Sequence, residues 1–217
     1  MPESKDKVLI AIPTGGGVHE QTAMWVSKVA KCRNNFIPAT FRGRPTDYSR
    51  NAMVRIFLSD ESLTHLLFID SDMEPPIDAV DRLLSRRMPI VAGCYPVTMS
   101  DGLNWALSIK GDDGHHHLIK QLPDKDNLFP VDGAGAGCLM IRREVLAQLP
   151  WPWFRWIERP DGSQVSEDIF FCDKAIAAGW PIYADPQVIC YHYKTLNVPT
   201  LKQSLERQIA TAIAKER

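Results

Sequence analysis

The chain has 217 residues, 25 Lys and Arg against 26 Asp and Glu, and 45% hydrophobic residues. A chain of that length buries roughly 70% of its unfolded surface, enough for a core without staples. The balanced charge excludes general nucleic-acid binding, which needs a basic face, and no apolar run nears the roughly 18 residues of a spanning helix.

The segment from Met1 to Lys7 lacks the apolar stretch of a secretory leader, so a cytoplasmic protein is expected. Cys32, Cys94, Cys138, Cys172 and Cys190 are odd in number and never spaced as CxxC. They read as small core residues rather than as a disulfide framework or a zinc site.

Val8 to Ile12 is a short apolar run closed by Pro13, Thr14 and three glycines, which predicts a buried strand. Trp25, Val29 and Cys32 follow helical spacing, and Asn35 to Phe41 reads as a second strand. Thr46 is placed to cap a second helix, with Asp47 in its first turn and Met53, Ile56 and Phe57 toward the core. His65 to Ile69 is another buried strand, and Asp70, Ser71 and Asp72 follow it directly. Pro75 and Pro76 predict the opening of a third helix with Ile77, Val80 and Leu84 on its apolar side, and Pro89 to Tyr95 a fourth strand.

This alternation predicts an α/β fold, a mostly parallel, Rossmann-like nucleotide-binding sheet flanked by helices. Residues 96–130 break it, with a strand from Trp105 to Lys110 and a polar loop from Gly111 to Gly114, so a small antiparallel excursion is expected. Ser166 reads as an N-cap, with Glu167 and Asp168 in the first turn and Ile169, Cys172 and Ile176 along one side. Gly179 and Pro181 stop that helix, and Pro181 to Ala184 forms a short strand. Leu201, Leu205, Ile209 and Ile213 predict a C-terminal helix over 200–217, packed on the body or forming a homodimer.

Asp70-Ser71-Asp72 is the most informative triplet. Ligands of open parallel sheets bind beyond the carboxyl ends of strands, where these acids fall. Two carboxylates there repel, and a divalent cation with oxygen ligands offsets the repulsion.

Three segments resemble the GT-A glycosyltransferases, most closely the family-2-like group. They are Leu66 to Met73 with the DxD triplet, Gly135 to Arg143, and Ser166 to Phe171 with the acidic pair Glu167-Asp168. The likeness spans about residues 7–195. It implies a single GT-A domain over 1–217, with a nucleotide-sugar half to about residue 95 and an acceptor half over 96–195. It also implies a nucleotide-diphosphate sugar donor, a UDP-sugar favoured over a GDP-sugar, and transfer of a hexose to the hydroxyl of an acceptor that the sequence does not name. By the resemblance Asp72 binds the metal, and Asp70 holds the ribose or shares the metal shell. Pro13 and Thr14 meet the nucleotide, and Arg50 and Asn51 match a pair that many relatives carry in the helix before DxD, which places them on the donor side with Arg50 at the base or a phosphate. Ser71 lies between the two acids on the donor side. One departure concerns the base: relatives have an acid after the second strand that reads uracil, and residues 38–44 contain none.

A sugar hydroxyl attacks well only when a base takes its proton. The resemblance gives that role to Asp168, with Glu167 orienting the acceptor and the displacement proceeding with inversion. His192 stands where a late histidine completes the metal shell in metal-dependent relatives, and a nitrogen ligand favours Mn2+ over Mg2+. Gly135, Ala136 and Gly137 let backbone approach the sugar or acceptor. Trp153 and Trp156 read equally as faces on which a sugar ring stacks and as a hydrophobic plug over the sheet. His115, His116 and His117 are consecutive, so an extended chain points them to opposite sides and they do not converge on an ion. A sugar nucleotidyltransferase and a non-catalytic nucleotide-sugar binder are the alternatives. Gly15 to His19 lacks the basic glycine-rich signature of the former.

Overall fold

All of β1 (Val8–Thr14) is buried, as expected of a strand whose two faces are both covered. The computed structural model describes residues 6–194, apart from 33, 100–101, 124–126 and 161. After β1 come α1 (Glu20–Cys32), β2 (Phe36–Arg42), α2 (Thr46–Ser59), β3 (His65–Ile69), β4 (Met73–Glu74), α3 (Ala79–Ser85) and β5 (Ile90–Cys94). The middle of the chain forms β6 (Pro96–Met99), β7 (Gly102–Trp105), β8 (Leu107–Lys110), β9 (His116–Leu118), β10 (Phe129–Val131) and β11 (Gly133–Ala134). The remainder comprises β12 (Cys138–Arg142), α4 (Arg143–Gln148), β13 (Ile157–Glu158), β14 (Gln164–Val165), α5 (Glu167–Ala177), β15 (Ile182–Ile189) and β16 (Tyr191–His192).

The central sheet has seven strands in the order β10-β15-β5-β12-β3-β1-β2. β1 runs parallel to β2 and β3, and β15 parallel to β5, while β12 is antiparallel to both β3 and β5 and β10 is antiparallel to β15. The sheet is therefore mostly parallel, with one reversed strand wedged into its middle.

Alternation along each strand divides the core into two layers. Leu9, Leu66, Phe68 and Leu139 face α2, α4 and α5 through Met53, Phe57, Val145 and Phe171. Val8, Ile10, Leu67 and Met140 face α1 and α3 through Trp25, Val29, Val80 and Leu83. The antiparallel excursion is a β6–β7 hairpin beside a three-stranded sheet in the order β11-β8-β9.

Several boundaries differ from the sequence reading. Pro45 holds the N-cap position of α2, so Thr46 is the first helical residue and caps nothing. Ile56 is 47% exposed. It lies roughly 110° round the helix from the stripe formed by Arg50, Met53, Val54 and Phe57. α3 begins only at Ala79, behind Asp78; it buries Ala79, Val80 and Leu83 and leaves Ile77 exposed. The segment from Trp105 to Lys110 is two strands, because Ala106 turns away to bond Tyr95. On α5 the buried side is Phe171, Cys172 and Ala175 with Glu167, and Ile176 is exposed. Cys94, Cys138, Cys172 and Cys190 are buried and unpaired. The C-terminal helix, and the homodimer built on it, lie outside the described residues. Among the described residues no helix is long and apolar enough to cross a membrane.

Candidate functional site

The reversed strand assembles the site. Because β12 pairs Cys138 with Ile69, its approach, Gly135 to Gly137, runs beside the turn that follows β3. The backbone of that turn is pinned from three directions. Asp70 N–H donates to Gly137 O at 3.1 Å, His19 N–H to Ser71 O at 2.7 Å and Tyr193 N–H to Asp72 O at 2.9 Å. β16 then pairs His192 with Met73, which sets the histidine next to Asp72.

Arg50 occupies the inner side of the turn and is 2% exposed. Its Nη2 donates to Asp70 Oδ1 at 2.8 Å, its Nε to Glu167 Oε1 at 3.2 Å and its Nη1 to Ala136 O at 3.3 Å. The guanidinium also lies over Phe68, 5.3 Å from the ring centroid. Burial works against its charge, but Asp70 and Glu167 more than offset this and its pKa is raised. Glu167 is held above the usual carboxylate range, because burial and the nearby Asp168 outweigh the pull of Arg50. Arg50 thus joins the DxD turn to the Glu167-Asp168 pair through one planar cation. All three of these nitrogens go to protein acceptors.

Asn51 is also committed internally. Its Nδ2 donates to Asp47 O and Phe154 O, both at 2.7 Å, and its Oδ1 accepts from the backbone of Trp153 and Phe154. It fastens the tryptophan loop to α2. Trp153 is 7% exposed and donates its indole N–H to Leu146 O, so it belongs to the core. A buried ring with its polar edge satisfied offers no stacking face to a sugar.

On the outer side of the turn, Asp72 Oδ2 lies 2.6 Å from Lys194 Nζ and 3.6 Å from His192 Nε2. Burial opposes ionisation of Asp72, but hydrogen bonds from His192 and Lys194 prevail and hold its carboxyl at about 2. His192 Nδ1 must carry a proton, since it bonds the carbonyl of Pro96 at 2.9 Å. Burial opposes a charge on His192, but its bond to Asp72 outweighs this and raises its pKa; release of the Nε2 proton turns a lone pair toward Asp72, the orientation a metal-ligating histidine needs. Asp72 and His192 fit a divalent cation as a two-residue donor set. Asp70, expected to hold the ribose or to share the metal shell, gives its Oδ1 to Arg50, and among the described residues no three His, Cys, Asp or Glu side chains gather as a metal site.

Asp168 Oδ1 accepts from the Ser166 hydroxyl and from Ile169 N–H. No hydrogen bond to its Oδ2 occurs among the described residues, which leaves that oxygen open. Nearby, the buried Tyr95 hydroxyl accepts from Gly137 N–H at 3.2 Å, and burial pushes its pKa well up. A Cβ on Gly135 would stand 2.0 Å from that hydroxyl, so the position admits only glycine without rearrangement. Neither Tyr95 nor Lys194 was anticipated from the sequence. A signal for Lys194 existed, because residues two apart in an extended chain share a face and His192 had already been placed.

A cleft of about 640 Å³ opens at the ends of β1 and β2, lined by Pro13, Thr14, Gly15, Arg44 and Trp156 among others. Thr14 Oγ1 donates to Gly17 O and accepts from Gly16 N–H, which shapes the glycine turn at its rim. Arg44 packs over Gly15, and Trp156 is 47% exposed. The three histidines diverge as expected: His115 meets Arg159, His116 bridges Ser108 and Asp173, and His117 meets Asp113.

No family model and no curated protein matches the chain. Solved structures do resemble it. A197 from STIV shares 20% identity at a TM-score of 0.60, over 87% of this chain and 86% of that one. GalNAc-T7, solved with UDP, GalNAc and Mn2+, shares 12% identity at a TM-score of 0.56. That match covers 90% of this chain but 45% of the GalNAc-T7 chain. At such identities the likeness is one of fold, and the fold is GT-A-like.

Proposed function

We propose that the chain is a glycosyltransferase that moves a hexose from a nucleotide-diphosphate sugar to an acceptor hydroxyl, with inversion. The observation that carries this reading is the juxtaposition of two acidic motifs, far apart in sequence, on one buried arginine. The GT-A-like fold supports it, as does the UDP, GalNAc and Mn2+ bound to GalNAc-T7.

In this reading the nucleotide occupies the cleft at Pro13, Thr14 and Trp156. Asp168 Oδ2 takes the proton of the acceptor hydroxyl as its oxygen bonds the anomeric carbon. The bond from that carbon to the diphosphate oxygen breaks, and the electron pair leaves with the diphosphate. Arg50 holds Asp70 and Glu167 in place, so Asp168 is the acid left to act as base. Asp72 and His192 would hold a divalent cation, Mn2+ in preference to Mg2+, which would neutralise charge on the departing diphosphate.

The test is nucleoside diphosphate release from a panel of UDP- and GDP-sugars with Mn2+. Wild type should turn over at least one donor, and Asp72→Ala should lose about 100-fold or more in rate. An unchanged rate in Asp72→Ala rejects the metal role. A panel with neither turnover nor donor-induced thermal stabilisation rejects the glycosyltransferase reading; a bound donor at a hundredfold excess over its dissociation constant stabilises by about 2.7 kcal/mol.

A further inference from the structure

Lys194 contends for the oxygen that a divalent cation would need. Its Nζ lies 2.6 Å from Asp72 Oδ2, and His192 Nε2 lies 3.6 Å from the same atom. The ammonium and a metal ion cannot both hold this oxygen at bonding distance while His192 also serves as a ligand.

The lysine is built to leave. Its side chain is 56% exposed, and no second hydrogen bond to Nζ occurs among the described residues. Its stem is flexible, and an ammonium is readily hydrated. The backbone beside it is held by other means. Tyr193 N–H bonds Asp72 O at 2.9 Å, β16 pairs with β4, and the Tyr193 ring stacks on His19 at 4.7 Å. The ammonium can therefore swing out while His192 keeps its place. Charge favours a stronger cation here. Within the ion pairs of the site among the described residues, three acids, Asp70, Asp72 and Glu167, face two permanent cations, Arg50 and Lys194.

We propose that Lys194 is an exchangeable resident counter-ion: it neutralises Asp72 while the site lacks metal and yields that oxygen when a divalent cation binds. The inference rests on the metal-dependent reading above and adds to it that Lys194 sets the metal affinity of the donor-free protein. Its ammonium weakens metal binding until a diphosphate supplies further oxygens.

The test is Mn2+ binding to the full chain without donor, measured by calorimetry and by the paramagnetic resonance signal of free Mn2+. Lys194→Gln and Lys194→Met should each tighten Mn2+ binding about tenfold or more, a change in affinity equal to about 1.4 kcal/mol. Lys194→Arg, which keeps the charge, should bind as weakly as wild type. Asp72→Asn should abolish binding in each background. Equal affinity in wild type and Lys194→Gln overturns the exchange and leaves the metal reading intact. No Mn2+ binding by wild type or Lys194→Gln, with or without UDP, overturns both. Equal tightening in Lys194→Arg and Lys194→Gln also overturns the exchange, since the positive charge would then not be what holds the metal off.

Discussion

Asp70 and Asp72 stand two residues apart in one turn, yet they meet opposite kinds of cation. The side chain of Arg50 on Asp70 is 3% exposed and is shared with Glu167 and Ala136 O. The side chain of Lys194 on Asp72 is 56% exposed and has this one acceptor among the described residues. A buried cation with several acceptors is architecture, because removing it strands charge in a low dielectric. An exposed one on a single acceptor is replaceable, because water competes for it on equal terms. The inner acid is thus tied into the fold, and the outer one holds a cation that water can replace.

The largest effect should come from breaking the inner side. Arg50→Met leaves Asp70 and Glu167 without their cation and should cost about 3–5 kcal/mol in chemical denaturation. Lys194→Met, the matching change outside, should cost about 1 kcal/mol or less. Equal losses would erase the contrast. Next, Asp168→Asn keeps shape and hydrogen bonding while removing the proposed base. It should lower turnover by about 100- to 10,000-fold with donor affinity unchanged.

Packing around Tyr95 sharpens the inner side further. Gly135→Ala drives a methyl against the phenol oxygen and should cost about 1–3 kcal/mol. Tyr95→Phe in the same chain should recover part of this, though the ring carbon beneath remains 3.0 Å from the new Cβ. Thermal melts of the two single variants and the double variant measure that recovery.

The smallest effect is a pH dependence on the outer side. The Asp72 carboxyl is held at about 2, below its ordinary range near 4. A depressed carboxyl contributes stability that is complete above the unfolded value and lost as pH falls through the folded one. Wild type should therefore lose up to about 1 kcal/mol between about pH 4 and pH 2 from this group, discounted for solvent at Lys194. In Lys194→Gln the carboxyl protonates at higher pH and the loss should be smaller, and acid titrations of both proteins show whether it is.

Much of the architecture was legible in the chain. The apolar runs at 8–12, 65–69 and 90–94 could only be buried strands, since each was short, β-rich and bounded by turn residues. The two acidic pairs were visible for the same local reason: each follows or opens a regular element at its functional end. Helix faces were less legible. Ile56 and Ile176 are apolar helix residues and Ile77 lies just before a helix, and only the packed neighbours decide which side is inside.

Sequence by itself determined the strand–helix alternation, the acids at the end of β3 and the start of α5, and the histidine just beyond β15. Only tertiary structure decided that β12 would run backward between β3 and β5, which brings Gly135 to Gly137 against Asp70. The same structure turned Arg50 inward to both acidic motifs, spent Asn51 and Trp153 on the core, and set Lys194 on Asp72. The reason is range. Periodicity and capping act within a few residues, whereas these contacts join positions from 20 to 122 residues apart, through packing that no local pattern encodes.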